Sequence, residues 1–460
     1  MPNASKIIHL LAYGVYLACT AIARLLPLTF VFLAGQSLGA FGWLVLRNRR
    51  KVATENIMIA LDKTEQEAGE LARLHFMNLG ANMLSALKIS TMSDAEILGR
   101  VTLEKPPGMD EEAREAASKG TGWVAMISHM GNWEIFSHLT SILPGFKFGA
   151  IYHKLANDYV DRHFKETRAR NGVTLFDRRE GYLKCVNFLR AGGAVGVLVD
   201  QYAGLPGTWM PFFRRLTSTS TLASTLAERA DTHIVPFAIT TTGVAQWKVT
   251  VSPPLARNEN PELITAAINK ELERQITLSP PDWLWSHNRW KTPKWVFLFS
   301  RGGQRVFYPP DFDLTTLIPY RILIRAADGI DEARASIPAT QAIKAGRPDA
   351  HITIVTDEAT AEFWKTVEGV DEVIAVAASE TPREAGEKIK RAGRFDAGVL
   401  FSGERRAAEE VYYGGVPYRI GHPSRFRLNQ WKKGPGLQEP PATGPDRYRR
   451  IAVGIGAVMD

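Results

Sequence analysis

From Ile7 to Leu46 the chain carries one full charge, Arg24, and this stretch constrains the fold more than any other. A run that apolar must leave water, either into a protein core or into a bilayer. A membrane-spanning helix takes about 20 residues, so the stretch accommodates one span, or a tilted or hairpin pair. It is too long for the apolar part of a cleavable signal peptide, and no small-residue cleavage site interrupts it. Arg47, Arg49, Arg50 and Lys51 follow directly, against Lys6 ahead of it. The positive-inside bias then puts the following domain on the cytoplasmic side of an inner membrane. The competing reading is a buried core helix.

The 460 residues exceed one ordinary core and suggest two or three domains. With 45% hydrophobic and 23% charged residues the composition is globular. Two cysteines, Cys19 and Cys185, exclude a disulfide framework and fit a reducing compartment. The net charge of +8 favours acidic partners: anionic head groups, an acidic carrier protein or nucleic acid. No zinc-finger spacing or nucleic-acid module is recognisable. A membrane surface is therefore the expected partner, and nucleic acid is not.

Residues 52–118 read as helical, with Thr64-Glu65-Gln66-Glu67 as a helix start. An α/β alternation follows. Strands are expected at Trp123–Ile127, Phe148–Ile151, Ala194–Val199, His233–Thr240 and Gln246–Val251, the last two as a hairpin. Helices are expected from Asn132 onward and at Asn157–Arg170, Tyr182–Arg190, Thr219–Ala230 and Pro261–Leu278. An aromatic, basic tail, Trp283–Trp295, ends this part, and a Gly- and Pro-containing link runs from Arg301 to Leu317. The pattern then restarts with strands at Arg321–Arg325, His351–Val355, Glu372–Ala377 and Ala397–Phe401, alternating with helices. That is the signature of a parallel doubly wound sheet. Gly434–Pro445 is rich in Pro and Gly.

The sharpest motif is Ser128-His129-Met130-Gly131-Asn132-Trp133-Glu134. His129 stands where a buried strand ends, and ligands of α/β sheets bind outside the carboxyl ends of strands. A histidine there can take a proton from an attacking hydroxyl, with Glu134 nearby to fix its tautomer. The N-terminus of the following helix would offer N–H groups to an oxyanion or phosphate. The spacing alone is weak, since a histidine beside a carboxylate is often structural. It does not place two ligands on one helical face, as a metal hydrolase motif would. Cys185 sits mid-helix with no base beside it, so a cysteine nucleophile is rejected.

Asp200-Gln201 closes another apolar strand, and Met210-Pro211-Phe212-Phe213 and Pro281-Asp282-Trp283-Leu284-Trp285-Ser286-His287-Asn288-Arg289-Trp290-Lys291 follow in order. With the apolar start and Arg47-x-Arg49-x₆-Asn56, these resemble the bacterial lipid A biosynthesis acyltransferase family over residues 5–300. These are the lauroyl/myristoyl transferases that act on Kdo-lipid A precursors. The resemblance implies a membrane anchor (1–50) and a glycerol-phosphate-acyltransferase-like α/β domain (51–300). It also implies acyl transfer from acyl carrier protein to a glycolipid hydroxyl, with no cofactor and no metal. The family's H-x₄-(D/E) motif lands on His129 and Glu134. Its arginine falls on Arg168, to grip a phosphate or the donor, and its acidic residue on Asp200, to orient the site. Asn132 lies within the motif as a supporting residue. The bland alternatives are a solvated face for Arg168 and a cap for Asp200. The tail reads either as core aromatics or as an interfacial belt, and Met210, Phe212 and Phe213 as packing beside the acyl groove. The acceptor stays open among a lipid A precursor, another glycolipid and an ornithine-type lipid.

After a linker (301–319), residues 320–460 are similar to the N-terminal half of glycosyltransferase family 9, the heptosyltransferases, on Arg321-Ile322-Leu323-Ile324-Arg325, Pro338, His351–Ala377 and Arg419-Ile420-Gly421. That implies an incomplete, Rossmann-like parallel α/β domain. The family usually carries Gly-Asp six residues before the proline; here Asp331-Glu332 stands there. An extra methylene displaces the carboxylate enough to spoil proton transfer. Two rival readings follow: part of a bifunctional envelope protein with a glycosyltransferase, or a non-catalytic membrane scaffold.

Overall fold

The computed structural model describes residues 4–138, 146–152, 154–170, 172–178, 181–291, 296–299, 304–421 and 444–459. Most of the Gly434–Pro445 segment and the end of the aromatic tail lie outside them. By internal contacts the chain divides into two compact units. The first comprises residues 1–213, 217–290 and 306–312, the second 214–216, 291–305 and 313–460.

The apolar start is two helices, α1 (Ala4–Leu25) and α2 (Leu28–Val45), separated at Leu26-Pro27. Each is long and apolar enough to cross a membrane by length and composition. They are followed by α3 (Arg47–Leu61) and α4 (Glu65–Ile89). The expected start of α4 is a capping box in which Thr64 Oγ1 accepts the Glu67 N–H and Glu67 accepts the Thr64 N–H. One face of α2, including Val31, Phe32, Gly35 and Gly39, is buried. A Cβ on Gly35 would stand 2.5 Å from the Gly80 carbonyl of α4, and one on Gly39 would collide with the Phe76 carbonyl. The two backbones meet so closely only because those positions are glycine. Phe30, Leu33, Leu38, Phe41 and Leu44 of α2 stay exposed, as do Ile8, Leu11 and Val15 of α1.

Next come α5 (Asp94–Leu98), β1 (Val101–Glu104), α6 (Met109–Ser118), β2 (Trp123–Ile127), a 3₁₀ turn (Trp133–His138), β3 (Phe148–Tyr152), α7 (Asp158–Arg170) and β4 (Thr174–Asp177). Then follow α8 (Tyr182–Arg190), β5 (Ala194–Leu198), β6 (Thr208–Phe212), β7 (Arg215–Thr219), α9 (Leu222–Ala230), β8 (His233–Gly243), β9 (Gln246–Val251) and α10 (Pro261–Leu278). Seven strands form one sheet in the order β1-β9-β8-β2-β5-β3-β4, with β8 and β9 the expected antiparallel hairpin. β2 is wholly buried, and its side chains alternate between two cores. Val124 and Met126 join Cys185, Leu189, Leu226 and Leu272, whereas Trp123, Ala125 and Ile127 join Phe32, Ala113 and Phe148. Burial on both faces explains why the strand reads as an unbroken apolar run.

Three expectations are corrected. β1 lies inside the stretch read as helical, where four residues are too few to display a period of two against helical flanks. Thr219 belongs to β7 rather than to the next helix, because the Thr/Ser run 217–219 binds a buried arginine. Over the described residues, the helix expected from Asn132 is a six-residue 3₁₀ turn, Trp133–His138.

The second unit contains β10 (Tyr320–Arg325), α11 (Ile330–Ala345), β11 (Ala350–Asp357), α12 (Glu358–Lys365), β12 (Glu372–Val376), α13 (Pro382–Arg391), β13 (Ala397–Leu400), α14 (Arg405–Tyr413), β14 (Arg419–Gly421) and α15 (Pro445–Gly454). Its strands run parallel in the order β12-β11-β10-β13-β14, a doubly wound order with β10 at the centre. β14 is one strand more than the four expected.

Candidate active site

Strand register builds the centre of the site. β2 and β5 are parallel neighbours pairing Trp123 with Ala194 through Ile127 with Leu198. Two residues beyond that ladder the same register sets His129 beside Asp200. The His129 backbone N–H donates to Asp200 Oδ2 at 2.9 Å, and His129 Nδ1 lies 2.8 Å from Asp200 Oδ1. The Trp283 indole N–H donates to Oδ2 at 2.9 Å. Asp200 is therefore a buried carboxylate held by three hydrogen bonds from two residues. Burial opposes its charge, but His129 and these bonds overcome that and hold its pKa at about 2. Burial likewise disfavours the imidazolium of His129, while Asp200 outweighs it and raises the pKa above the ordinary value. With Nδ1 tied to the carboxylate, Nε2 is the ring atom left for chemistry. Its neighbour is the Gln201 amide at a long 3.4 Å.

Glu134 makes no hydrogen bond to His129 among the described residues, where the motif led to expecting one. Its carboxylate accepts from Arg168 Nη2 at 2.7 Å. The backbone bends between the two residues: Gly131 has φ +52°, and its N–H donates to the Asp282 carbonyl at 3.1 Å. A Cβ there would stand 2.6 Å from the Ile239 carbonyl, so the turn needs glycine. That bend, followed by a 3₁₀ turn, sends Glu134 toward α7 while His129 faces the β5 loop. Asn132 is buried and donates to the Asn82 carbonyl of α4 at 3.2 Å.

Glu134, Arg168, Asn132 and Trp133 line an apolar cavity of about 500 Å³, with Tyr16, Met83 and Phe164 among its other walls. His129 borders it through Trp133, whose ring meets the imidazole edge-on at 5.3 Å. The α1 wall is held by Tyr16 against His163 and Phe164, and by Asn157 Nδ2 donating to the His9 carbonyl at 2.8 Å.

The tail is core rather than belt over its described part. Trp283, Trp285 and Trp290 are buried, and Arg289 is fully buried with its guanidinium on Thr217 Oγ1, Ser218 O and Thr219 Oγ1. Asn56 fixes the segment by donating to the Trp285 and His287 carbonyls at 2.8 and 2.7 Å. Met210, Phe212 and Phe213 are buried, and both phenylalanine rings pack against Trp290. Burial pushes the Cys185 thiol up to about 11, which suits a core residue and not a nucleophile. Among the described residues no three His, Cys, Asp or Glu side chains converge as a metal site requires. Sequence reasoning missed Trp283 as a ligand of Asp200, Gln201 beside Nε2, and Tyr16 as a cavity wall.

Residues 1–292 match the family model described as bacterial lipid A biosynthesis acyltransferase. A lipid A biosynthesis lauroyltransferase of Escherichia coli is 23% identical over 279 residues, 58% of this chain and 87% of that protein. A lipid A biosynthesis acyltransferase of Haemophilus influenzae is 22% identical over 178 residues, 38% of this chain. That match spans about half of the relative's length, 55%. Among solved structures, a glycosyl transferase family 9 protein from Veillonella parvula covers 31% of this chain and 43% of its own at 17% identity and TM-score 0.27. The ADP-heptose lipopolysaccharide heptosyltransferase II of Escherichia coli covers 30% and 41% at 18% identity and TM-score 0.25.

Proposed function

Because the chain belongs to the bacterial lipid A biosynthesis acyltransferase family, we propose that it moves a fatty acyl chain from an acyl carrier protein thioester to a hydroxyl of a lipid A precursor or related envelope glycolipid. The observation that carries this reading is the in-register His129–Asp200 pair beside an apolar cavity. Asp200 accepts from Nδ1–H and so selects the tautomer whose Nε2 is basic. Nε2 takes the acceptor hydroxyl proton as the oxygen attacks the thioester carbonyl. The tetrahedral intermediate then collapses, the carrier's thiolate leaves, and the imidazolium returns the proton to it. No covalent enzyme intermediate is needed.

Arg168, held by Glu134, presents a cation at the cavity wall that suits a phosphate or the developing oxyanion. The acyl chain occupies the cavity. The exposed apolar faces of α1 and α2 support a position in the inner membrane, and the basic start of α3 supports a site on the cytoplasmic side. The basic surface would attract the acidic carrier.

The test is an assay of the full chain with acyl carrier proteins of several acyl lengths and a Kdo-lipid A precursor, read by mass spectrometry. The wild-type protein should acylate the lipid. His129→Ala should lose about 10²–10⁴ in rate while keeping its fold. Wild-type rates in that variant would sink the base assignment.

A further inference from the structure

A second apolar cavity, about 530 Å³, lies on the other side of a thin wall. Both cavities are lined by Leu38 of α2 and by Gly80 and Met83 of α4, so these residues form a shared partition. The second is otherwise bounded by α2 from Gly39 to Leu46, by Phe76 and Leu79 of α4, and by the Leu284–His287 segment. Its polar lining is Arg49, Ser286 and His287. Arg49 Nη1 donates to the Ser286 carbonyl at 3.4 Å, and His287 Nε2 accepts the Tyr202 N–H at 3.2 Å. Tyr202 lies two residues beyond Asp200, so the lining of this cavity is tied to the segment that follows β5.

We propose that the second cavity holds an acyl chain of the acceptor lipid, with an anionic phosphate of that lipid at Arg49. The proposal rests on the acyl-transfer reading. Direct transfer without a covalent intermediate requires donor and acceptor together, and two separated apolar slots meet that requirement. Charge decides the class of head group. Arg47, Arg49, Arg50 and Lys51 crowd the first turn of α3 at the rim. Arg50 is turned onto the Trp43 ring at 5.0 Å, and Lys51 lies 3.8 Å from Glu55; of the four cations, Arg49 lines the cavity. The exposed outer face of α2, with Phe41 and Leu44, supplies an apolar route by which a chain enters without crossing water.

Gly42 offers a clean test. A Cβ there meets only side-chain atoms, Phe76 Cδ1 at 3.7 Å and Leu46 Cδ1 at 3.8 Å, which is ordinary contact. Gly42 lines the second cavity and not the first, so Gly42→Leu adds bulk to the slot from a position whose backbone accepts a Cβ. The probe is lysophosphatidic acid carrying a diazirine at its acyl tail, added to the full chain in neutral detergent. Crosslinks are mapped by peptide mass spectrometry. Labelling of the Phe76–Met83 and Leu284–His287 segments should fall at least about tenfold in Gly42→Leu and about fivefold in Arg49→Ala. A choline-headed analogue should label weakly in all forms. In the transfer assay, Gly42→Leu should raise KM for the Kdo-lipid A precursor about tenfold with KM for the acyl carrier protein unchanged. Two results overturn the proposal: labelling that Gly42→Leu leaves intact, or labelling lost with an unchanged acceptor KM, which marks a bystander lipid. Labelling needs no turnover, so an inactive wild-type protein would refute acyl transfer separately from the lipid slot.

Discussion

The mixed sheet of the first unit and the parallel sheet of the second end in different ways at their carboxyl edges, and the difference lies in how each edge pairs its charges. In the first unit, His129 and Asp200 follow adjacent strands, and among the described residues Nε2 has the Gln201 amide at a long 3.4 Å. In the second, the central strand closes on Arg325, whose Nε donates to Glu410 at 2.7 Å and whose Nη1 donates to Asp328 at 2.9 Å. Glu410 also accepts from Arg406 at 2.9 Å. Glu332, at the position where a glycosyltransferase-like pattern carries aspartate, receives a hydrogen bond from Tyr448 of α15. Both edges are rich in charge. One leaves the His129 ring beside a cavity, and among the described residues the other pairs its charges with each other.

The comparison is most exposed to the identity of the carboxylate that serves His129. Asp200→Asn should lower the transfer rate about a hundredfold or more, since an amide cannot hold the reactive tautomer as well. It should also move the pH profile. A general base works when neutral, so the rate rises with pH through the His129 pKa. That pKa is raised from its ordinary 6.5 because Asp200 stabilises the imidazolium. The acid limb of the wild-type profile should therefore have its midpoint above 6.5, and Asp200→Asn should drag it down. Glu134→Gln should reduce the rate by loosening Arg168 while leaving the midpoint in place. If instead Glu134→Gln moved the midpoint and Asp200→Asn did not, the motif glutamate would be the orienter after all.

A smaller effect is expected at Arg168. Arg168→Lys keeps the charge but not the planar donor set that Glu134 grips. KM for the lipid or the carrier should rise about tenfold, with the pH midpoint unmoved. An Arg168→Lys enzyme with wild-type KM values would return this arginine to the role of a solvated surface charge.

Long, strongly patterned elements were legible in the sequence. The buried strand at Trp123–Ile127, the helix Pro261–Leu278 and the capped start of α4 follow from local composition, because an apolar run, a proline after Asn260 and a Thr-x-x-Glu box act within a few residues. The apolar start was legible as long apolar helix, but not as a helix packed backbone to backbone on α4, since Gly35, Gly39 and Gly80 become a contact only when α4 is in place. At the site, sequence spacing favoured Glu134, five residues from His129, over Asp200, seventy-one residues away. Register reverses that preference. A parallel neighbour at strand distance is closer to the imidazole than a residue beyond a left-handed glycine. Trp283 was visible only as an aromatic in a basic tail, because its indole partner comes from a different strand end.

The last expectation concerns the second unit and predicts no change in activity. Arg325→Met removes one member of a buried network and leaves Glu410, fully buried, with Arg406 alone. Glu410 keeps one of its two arginines, so the loss should be smaller than the roughly 3–5 kcal/mol of a wholly unpaired buried charge, and chemical denaturation should show the second unit unfolding earlier. Glu332→Gln retains the shape and an acceptor for Tyr448, and should disturb neither stability nor transfer. Both variants should keep wild-type acyl transfer when assayed in the folded state. A large loss of transfer in Glu332→Gln, with an intact fold, would mean that a carboxylate assigned here to architecture takes part in chemistry. The contrast between the two sheet edges would then have to be abandoned.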